Sequence, residues 1–305
     1  MKTNSHGKRS RIQIDTSDMI IRGGTYVAVT IMALACLFPF LLMIGSSFST
    51  ESSIRRSGFA LIPPEVSTYA YDIIFRSPDT LIGSYIVTIA LTAVGTTIGL
   101  FIIAMTGYAL QRKDFPLRNA ISFFIYFTSL FSAGLVPFYL LMVQTYNLRD
   151  SYLAILLPLM MSPFLIILMK NFASAIPHEI TESGKIDGAG DFHIFIRLII
   201  PMMTPALATV GLFLAISYWN EWYFSSLFLT SHVKYRPLQY QLYRIVNQIE
   251  ALRNSYAGSV VTLTDLPGET LKMATAVIAT GPIILVYPFV QKYFVAGLTI
   301  GAVKG

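Results

Sequence analysis

One carboxylate, Glu221, lies inside an otherwise uncharged apolar stretch and has aromatic neighbours on both sides. A carboxylate at membrane depth is costly and usually faces a cavity or a partner. The rings of Trp219 and Trp222 can stack on sugar rings, while Asn220 and Glu221 can accept hydrogen bonds from sugar hydroxyls. These four residues are therefore a possible substrate path for a carbohydrate. An interfacial belt of Trp and Tyr has the same composition, so both interpretations stay open from the sequence.

The residue patterns of nucleotide hydrolysis and metal binding are missing. Gly184-Lys185 lacks the preceding glycine spacing and the following Ser or Thr of a Walker A loop. The sequence contains neither a His-Glu-x-x-His pair nor a Gly-x-Ser-x-Gly elbow. The histidines show no pairing with Cys or carboxylates at metal-ligand spacing; they are His6, His178, His193 and His232. The sequence therefore predicts that this chain is not an enzyme and holds no cofactor and no metal.

The composition is that of a polytopic membrane protein. Of 305 residues, 54% are hydrophobic and 12% are charged, with a mean hydropathy of +0.61, whereas soluble domains carry about 25% charged residues. The net charge of +6 then indicates membrane topology, because basic residues on cytoplasmic loops orient the helices. No basic and aromatic groove of the nucleic-acid-binding type is present. The single cysteine, Cys36, excludes an intrachain disulfide.

Long apolar runs fit membrane helices of about 20 residues each. Six spans are expected, at about 24–47, 81–110, 119–142, 152–169, 202–228 and 271–289. Basic density favours a cytoplasmic tail at 1–21 and another at about 291–305, with long extracytoplasmic segments at about 48–80 and 229–269. The fold class is therefore all-α, with residues 22–305 forming a single transmembrane domain whose two ends are cytoplasmic.

A polar island at about 177–201, called the hairpin below, separates the fourth and fifth spans. Pro177 suits the first turn of a helix that runs to about Ile186. The segment 187–190 contains two glycines and breaks the chain, because glycine permits positive φ. Asp191 is expected to cap a second helix. Its apolar stripe recurs at helical spacing and consists of Phe192, Phe195, Ile196 and Ile199. The pattern predicts a helix, a turn and a second helix.

The hairpin resembles the EAA loop of ATP-binding-cassette (ABC) importer permeases, with Ser and Gly where two alanines usually stand. The matching residues are Glu182, Ser183, Gly184, Asp187, Gly188, Ala189, Phe195 and Pro201. In that family the loop docks into a groove on a cytoplasmic ATPase subunit. The resemblance implies the type I ABC importer permease fold and makes these residues candidates for coupling to the ATPase.

The C-terminus resembles the tail of maltose-type sugar permeases, which reaches between the two ATPase subunits. Its candidate ATPase-contacting residues are Gly297, Gly301, Lys304 and Gly305. Pro237-Leu-Gln, which precedes the last span, is also similar to this group, in which the corresponding outside loop touches the binding protein.

These resemblances imply a permease subunit of an ATP-driven oligosaccharide importer in a bacterial cytoplasmic membrane. A second, different permease subunit would complete the pathway, and two ATPase subunits would hold ATP and Mg. An extracytoplasmic sugar-binding lipoprotein would deliver the oligosaccharide, and no nucleic acid would be bound. The alternative is an ion-coupled secondary sugar transporter. It would need ionisable residues inside the membrane, and Glu221 alone qualifies in the sequence.

Overall fold

The computed structural model describes residues 16–230, 232–256 and 268–284, and within these ranges the chain forms helices joined by short connections. The one β-type contact there is an isolated bridge between Ser49 and Val66. The helices of the first half are α1 (Thr16–Ser47), α2 (Glu51–Ser57), α3 (Tyr69–Ile74), α4 (Pro78–Gln111), α5 (Arg118–Leu130) and α6 (Leu135–Leu140), with a π-helical turn over Leu141–Thr145.

The second half holds the hairpin and the helices around it. They are α7 (Leu153–Met160), α8 (Pro163–Ala173), α9 (His178–Ile186), α10 (Asp191–Ile194), a π-helical turn over Phe195–Ile199, α11 (Ile200–Met202), α12 (Thr204–Trp219), α13 (Tyr223–Phe228), α14 (Leu238–Tyr256) and α15 (residues 269–284). The predicted all-α class is confirmed.

Two unbroken helices of the described residues are long and apolar enough to cross a membrane, Ile21–Ser47 and Pro78–Gln111. They match the first and second predicted spans. Three bent helix pairs bring the number to five if each pair is one span. The sixth predicted span begins in α15, and its residues after 284 lie outside the described residues, as do the predicted C-terminal tail and residues 1–15.

The third predicted span, at about 119–142, consists of two helices that are strongly bent relative to each other. Arg118–Leu130 and Leu135–Thr145 meet at 115°. Residues 131–134 between them are not helical, and Gly134 adopts φ +88, a left-handed conformation that favours glycine. The chain therefore changes direction by 115° within the predicted span.

The fourth and fifth predicted spans are also interrupted. The fourth bends by 42° between α7 and α8. Ser162 lies just before Pro163 and is extended at ψ 122, as steric contact with a following proline requires. In the fifth, α12 ends at Trp219 and α13 begins at Tyr223, so three residues of irregular backbone divide it.

The centre of the bundle is α4, which packs against α7, α8 and α12. A Cβ atom on Gly95 would lie 2.3 Å from the Tyr218 ring, and one on Gly107 would lie 2.9 Å from the Lys170 backbone nitrogen. Glycine at position 95 therefore allows α12 to approach α4 closely, because a Cβ atom there would overlap the Tyr218 ring. The Tyr218 hydroxyl donates to the Leu156 carbonyl at 2.8 Å and fixes α12 to α7.

A buried carboxylate joins the start of the chain to its last described helix. Glu51, in α2, is 4% exposed. Its Oε2 accepts hydrogen bonds from the backbone amides of Gly268, Glu269 and Thr270 at 2.9 to 3.3 Å. Arg55 contacts its other oxygen at 3.4 Å. Because unpaired amides at a helix start carry partial positive charge, this carboxylate caps α15.

The predicted outside segment at 229–269 contains a helix of 19 residues, α14, that the sequence reading missed. Leu238 and Leu242 of α14 are buried against Leu271 and Ala274 of α15. Their helical spacing was a usable signal, although polar residues between them lower the mean hydropathy of the segment. The predicted division into a tail at 1–21 and one domain at 22–305 stays a prediction.

Candidate functional site

The hairpin has the predicted architecture of a helix, a turn and a second helix. The amides of Asp187, Gly188 and Ala189 close the end of α9 by donating to the carbonyls of its last turn at 2.9 to 3.0 Å. Gly188 adopts φ +80 with nothing within 4 Å of a Cβ position, so its backbone conformation alone explains the glycine. Asp191 is not the cap, because Gly190 takes that position and Asp191 is the first residue of α10.

The inward face of the hairpin packs on the end of α4. Phe195 is 2% exposed and stacks on Tyr108, with ring centroids 5.5 Å apart. The Tyr108 hydroxyl lies 3.5 Å from Thr181 Oγ1. A Cβ on Gly184 would lie 3.0 Å from Ile194 Cγ1, so glycine in place of the usual alanine makes room for Ile194.

The predicted apolar stripe of the second helix is only partly correct. Phe195 and Ile199 are buried as expected, but Phe192 is 63% exposed and Ile194 is buried instead. Ile196, the remaining member of the predicted stripe, is half-buried. Phe192 and Ile194 both precede the π-helical turn over Phe195–Ile199, so the turn does not account for their exchange.

The outward face combines apolar and acidic side chains. Ile186 is 85% exposed and Phe192 63% exposed. The Glu182 carboxylate lies 3.6 Å from His178 Nε2 and is also exposed. The other coupling candidates divide between the two faces: Ser183, Asp187, Gly188 and Pro201 are exposed, Ala189 is half-buried, and Gly184 and Phe195 are buried. Gly184 and Phe195 are not accessible to a partner, so they can affect its binding only by fixing the shape of the hairpin.

Four charged side chains connect the hairpin to the loop after α4. Arg112 contacts Asp114 at 2.5 Å and Asp191 at 2.6 Å. Lys185 contacts Asp114 at 2.7 Å and Asp191 at 4.0 Å. The Arg112 guanidinium and then the Lys185 ammonium hold the pKa of Asp114 well below its usual range, and bonding to Asp114 raises the pKa of Arg112. The sequence reading missed this cluster, because the pairs join distant segments.

Glu221, the carboxylate of the possible substrate path, is buried and bonded within this chain. It is 6% exposed. Its Oε1 accepts from the Phe224 amide at 2.5 Å, and its Oε2 accepts from the Ser225 amide at 3.2 Å and the Ser225 hydroxyl at 2.5 Å. Glu221 therefore caps α13, a role that does not require ion binding.

The two tryptophans of the predicted path differ in their surroundings. The Trp219 indole N–H donates to the Ala279 carbonyl at 3.1 Å. The Trp219 ring packs against a buried cluster that includes residues of α4 and α15. Trp222 is 41% exposed, and its ring lies 4.7 Å from the Tyr243 ring. Asn220 is exposed and accepts from Gln239 Nε2 at 3.4 Å.

Trp222 and Tyr243 line a cleft of about 300 Å³ between α13, α14 and α15, called the aromatic cleft below. Gln239 and Thr275 supply its polar groups, and Leu242 and Ala279 supply apolar ones. The sequence analysis noted Gln239 only as part of Pro237-Leu-Gln and did not place Tyr243 in a site, although the two lie four residues apart on one face of a helix. Across the ranges described, no three potential metal ligands come together. Gly297, Gly301, Lys304 and Gly305 lie outside the described residues.

Comparison with known proteins identifies relatives over nearly the whole chain. A family model of binding-protein-dependent transport system inner membrane components matches residues 99–300. The polygalacturonan/rhamnogalacturonan transport system permease of Bacillus subtilis strain 168 is 38% identical over 94% of this chain and 98% of its own length. The arabinooligosaccharides transport system permease of the same strain is 27% identical over 90% of this chain and 92% of its own length.

A solved structure agrees with these sequence relatives. A chain from a bacterial ABC transporter involved in the import of the acidic polysaccharide alginate matches with a TM-score of 0.74 at 32% identity. The match covers 96% of this chain and all of the solved one.

Proposed function

This chain belongs to the binding-protein-dependent transport system inner membrane components, and from that membership we propose that its hairpin is the surface on which a separate ATPase subunit acts. The chain is a multi-pass permease subunit of an ABC importer. It would bind no cofactor itself, with ATP and Mg held by two ATPase subunits. The hairpin end of the bundle, where α4 finishes and the hairpin lies, would be cytoplasmic, as would both termini.

The observation that carries this proposal is the pairing of a fixed inward face with an exposed apolar tip. Ile186 and Phe192 are large hydrophobic side chains on a polar hairpin, and such exposed groups beside polar ones mark binding surfaces. Phe195 fixes the same hairpin to α4 from the other side. A partner that binds the exposed apolar side chains would therefore move the hairpin as a rigid body.

The mechanism follows from chain connectivity. The hairpin is continuous with α8 on one side and with α11 and α12 on the other. Closing of the ATPase pair would displace the hairpin and swing these helices, so that the pathway shared with a second permease subunit opens to one side of the membrane at a time.

The test is purification of the assembled transporter with Ile186→Asp and Phe192→Asp combined. The expected result is loss of the ATPase from the complex, with the permease pair intact. Ile62→Asp is the matched control, because Ile62 is 84% exposed at the opposite end of the bundle. Normal ATPase retention by the double variant would overturn the proposal.

For the substrate we propose an oligosaccharide, with acidic uronate-containing chains as the leading class. The support comes from the relatives, whose names specify polygalacturonan, arabinooligosaccharides and alginate. Within this chain, the aromatic cleft with Trp222, Asn220 and Gln239 is the part best suited to sugar, because it offers an exposed ring and amide groups. An extracytoplasmic sugar-binding protein would deliver the substrate.

Uptake into proteoliposomes containing the complete transporter distinguishes the sugar classes. Oligogalacturonate, arabinooligosaccharide and maltooligosaccharide are compared with ATP inside and no ion gradient. Uptake of the acidic oligosaccharide above the two neutral ones is expected. Preference for a neutral sugar would overturn the acidic class, and uptake driven by an ion gradient without ATP would overturn the ABC mechanism.

A further inference from the structure

Arg112 stands where α4 ends, and its guanidinium reaches two different parts of the chain. Its Nε and one terminal nitrogen hold the Asp114 carboxylate at 2.8 and 2.5 Å, a bidentate contact. The other terminal nitrogen holds Asp191, the first residue of α10, at 2.6 Å. A planar guanidinium suits this task, since it presents several donors in fixed directions.

Lys185, in the last turn of α9, completes the cluster. Its ammonium lies 2.7 Å from Asp114 and 4.0 Å from Asp191. Both helices of the hairpin are therefore tied to the same loop. Two acids and two bases alternate around the cluster, so like charges do not meet without an opposite charge between them.

Arg112 is more buried than a member of an ordinary surface ion pair, whereas Asp114, Lys185 and Asp191 are 41%, 44% and 60% exposed. The Arg112 side chain is only 11% exposed, and its guanidinium carbon lies 5.9 Å from the centre of the Tyr108 ring. Tyr108 in turn stacks on Phe195 of the hairpin. Charge-assisted bonds to a guanidinium held in this way fix direction as well as distance.

The cluster matters for transmission because α4 has no covalent link to the hairpin. The hairpin continues into α8 and α12, whereas α4 is reached only through packing and through Arg112. At its other positions α4 fits closely against α12, where Gly95 lies beneath Tyr218. If the hairpin displaced α12 and α4 did not follow, the close contact between Gly95 and Tyr218 would be broken.

We propose that Arg112 and Asp114 are positioning residues that lock the hairpin to α4, so that α4, α8 and α12 move together when the hairpin is displaced. This inference rests on the proposed coupling function of the hairpin. Without these ion pairs, the ATPase would still dock and hydrolyse ATP. The hairpin would then shift relative to α4, and less of its displacement would reach the transmembrane helices.

The experiment measures sugar taken up per ATP hydrolysed by the complete transporter in proteoliposomes. Arg112→Glu is expected to lower this ratio about 5- to 10-fold while the ATPase remains bound. Lys113→Glu is the matched control. It makes the same charge change in the same loop, and Lys113 is exposed and forms no ion pair within the described residues. Its ratio is expected to stay within about 2-fold of the parent.

A covalent tether separates positioning from a direct charge contact with the ATPase. Arg112→Cys with Asp191→Cys, made in a Cys36→Ser background, removes the charges, and a short bifunctional maleimide then joins the two positions. The ratio is expected to fall in the double cysteine variant and to recover at least 3-fold after linking. The same pair supplies the answer if Arg112→Glu does not reach the membrane.

Three results would overturn the proposal: a normal ratio in Arg112→Glu, an equal loss in Lys113→Glu, or no recovery on linking. Failure of the proposed hairpin function would look different. In that case the ATPase would remain bound to the Ile186→Asp and Phe192→Asp double variant, whatever the uptake ratio of the Arg112 variants.

Discussion

At the hairpin end of the bundle, Asp114 and Asp191 are held by cationic side chains. At the opposite end, Glu51 and Glu221 are held by backbone amides at the start of a helix. The ion pairs of Asp114 and Asp191 join the hairpin to the loop after α4, so a force on the hairpin would act on them. The hydrogen bonds of Glu51 and Glu221 each fix the start of a helix whose own backbone supplies the donors. The comparison teaches that a carboxylate in an apolar chain is not by itself a transport site, and that its donors reveal its task.

The largest effect is expected at the hairpin turn, from Gly188→Val. A β-branched residue at φ +80 is strained by about 1–3 kcal/mol, although nothing lies within 4 Å of its Cβ. Uptake is expected to fall at least 10-fold while the protein stays in the membrane. Gly190→Val is the control, since Gly190 has φ −71 and equal space. Similar uptake by the two variants would remove the turn from the coupling mechanism.

A smaller effect, on stability, sharpens the comparison of carboxylates. Glu221→Ala leaves the amides of Phe224 and Ser225 buried without their acceptor, which costs about 1–3 kcal/mol. The thermal unfolding midpoint in detergent is expected to fall by several degrees. Glu182→Ala removes an exposed carboxylate of the hairpin and should leave the midpoint unchanged. A stable Glu221→Ala protein that has lost ATP-driven uptake would return Glu221 to the substrate path.

The aromatic cleft gives the next prediction, again as a matched pair. Trp222→Ala removes an exposed ring, and a lost aromatic contact of about 0.5–1.5 kcal/mol predicts roughly a 2- to 10-fold higher apparent KM for uptake. Trp219→Ala removes a packed indole and should lower thermal stability more than it changes KM. The opposite pattern, with KM set by Trp219, would place sugar between α12 and α15 instead.

The smallest effect is expected from Glu182→Lys on the outward face of the hairpin. Exposed charges at the rim of an interface contribute little, so ATPase retention should weaken by about 2- to 5-fold. The difference should shrink as salt is raised during purification, because exposed charges are screened. A loss as large as that of the Ile186→Asp and Phe192→Asp double variant would mean that charge, rather than the apolar tip, dominates docking.

Local chemistry made the hairpin predictable from sequence. Gly188 needs a positive φ that glycine permits, and apolar residues at helical spacing follow the turn, of which Phe195 and Ile199 are buried. Tertiary contacts were not predictable in this way. Nothing near Arg112 in the sequence indicates that Asp191 will be its partner, since the pairing depends on how α4 meets the hairpin.

Two features of the structure depend on particular local residues, and hydropathy and composition did not predict them. Apolar length predicted a third span at about 119–142, but it did not predict the 115° bend at Gly134 and the residues before it. Hydropathy identifies where a helix can lie in a membrane and does not report its direction. The composition around Glu221 likewise did not indicate that the start of α13 would supply the donors to its carboxylate.

The contact between Glu51 and α15 has a consequence for how the protein is made. The carboxylate is synthesised early, yet the amides of residues 268–270 that it binds are synthesised near the end. Before those residues are synthesised, the Glu51 carboxylate lacks the three backbone donors that hold Oε2 in the folded protein. The contact between α2 and the start of α15 therefore forms only late in synthesis, and the packing of an early segment of the chain depends on a helix that is made more than 200 residues later.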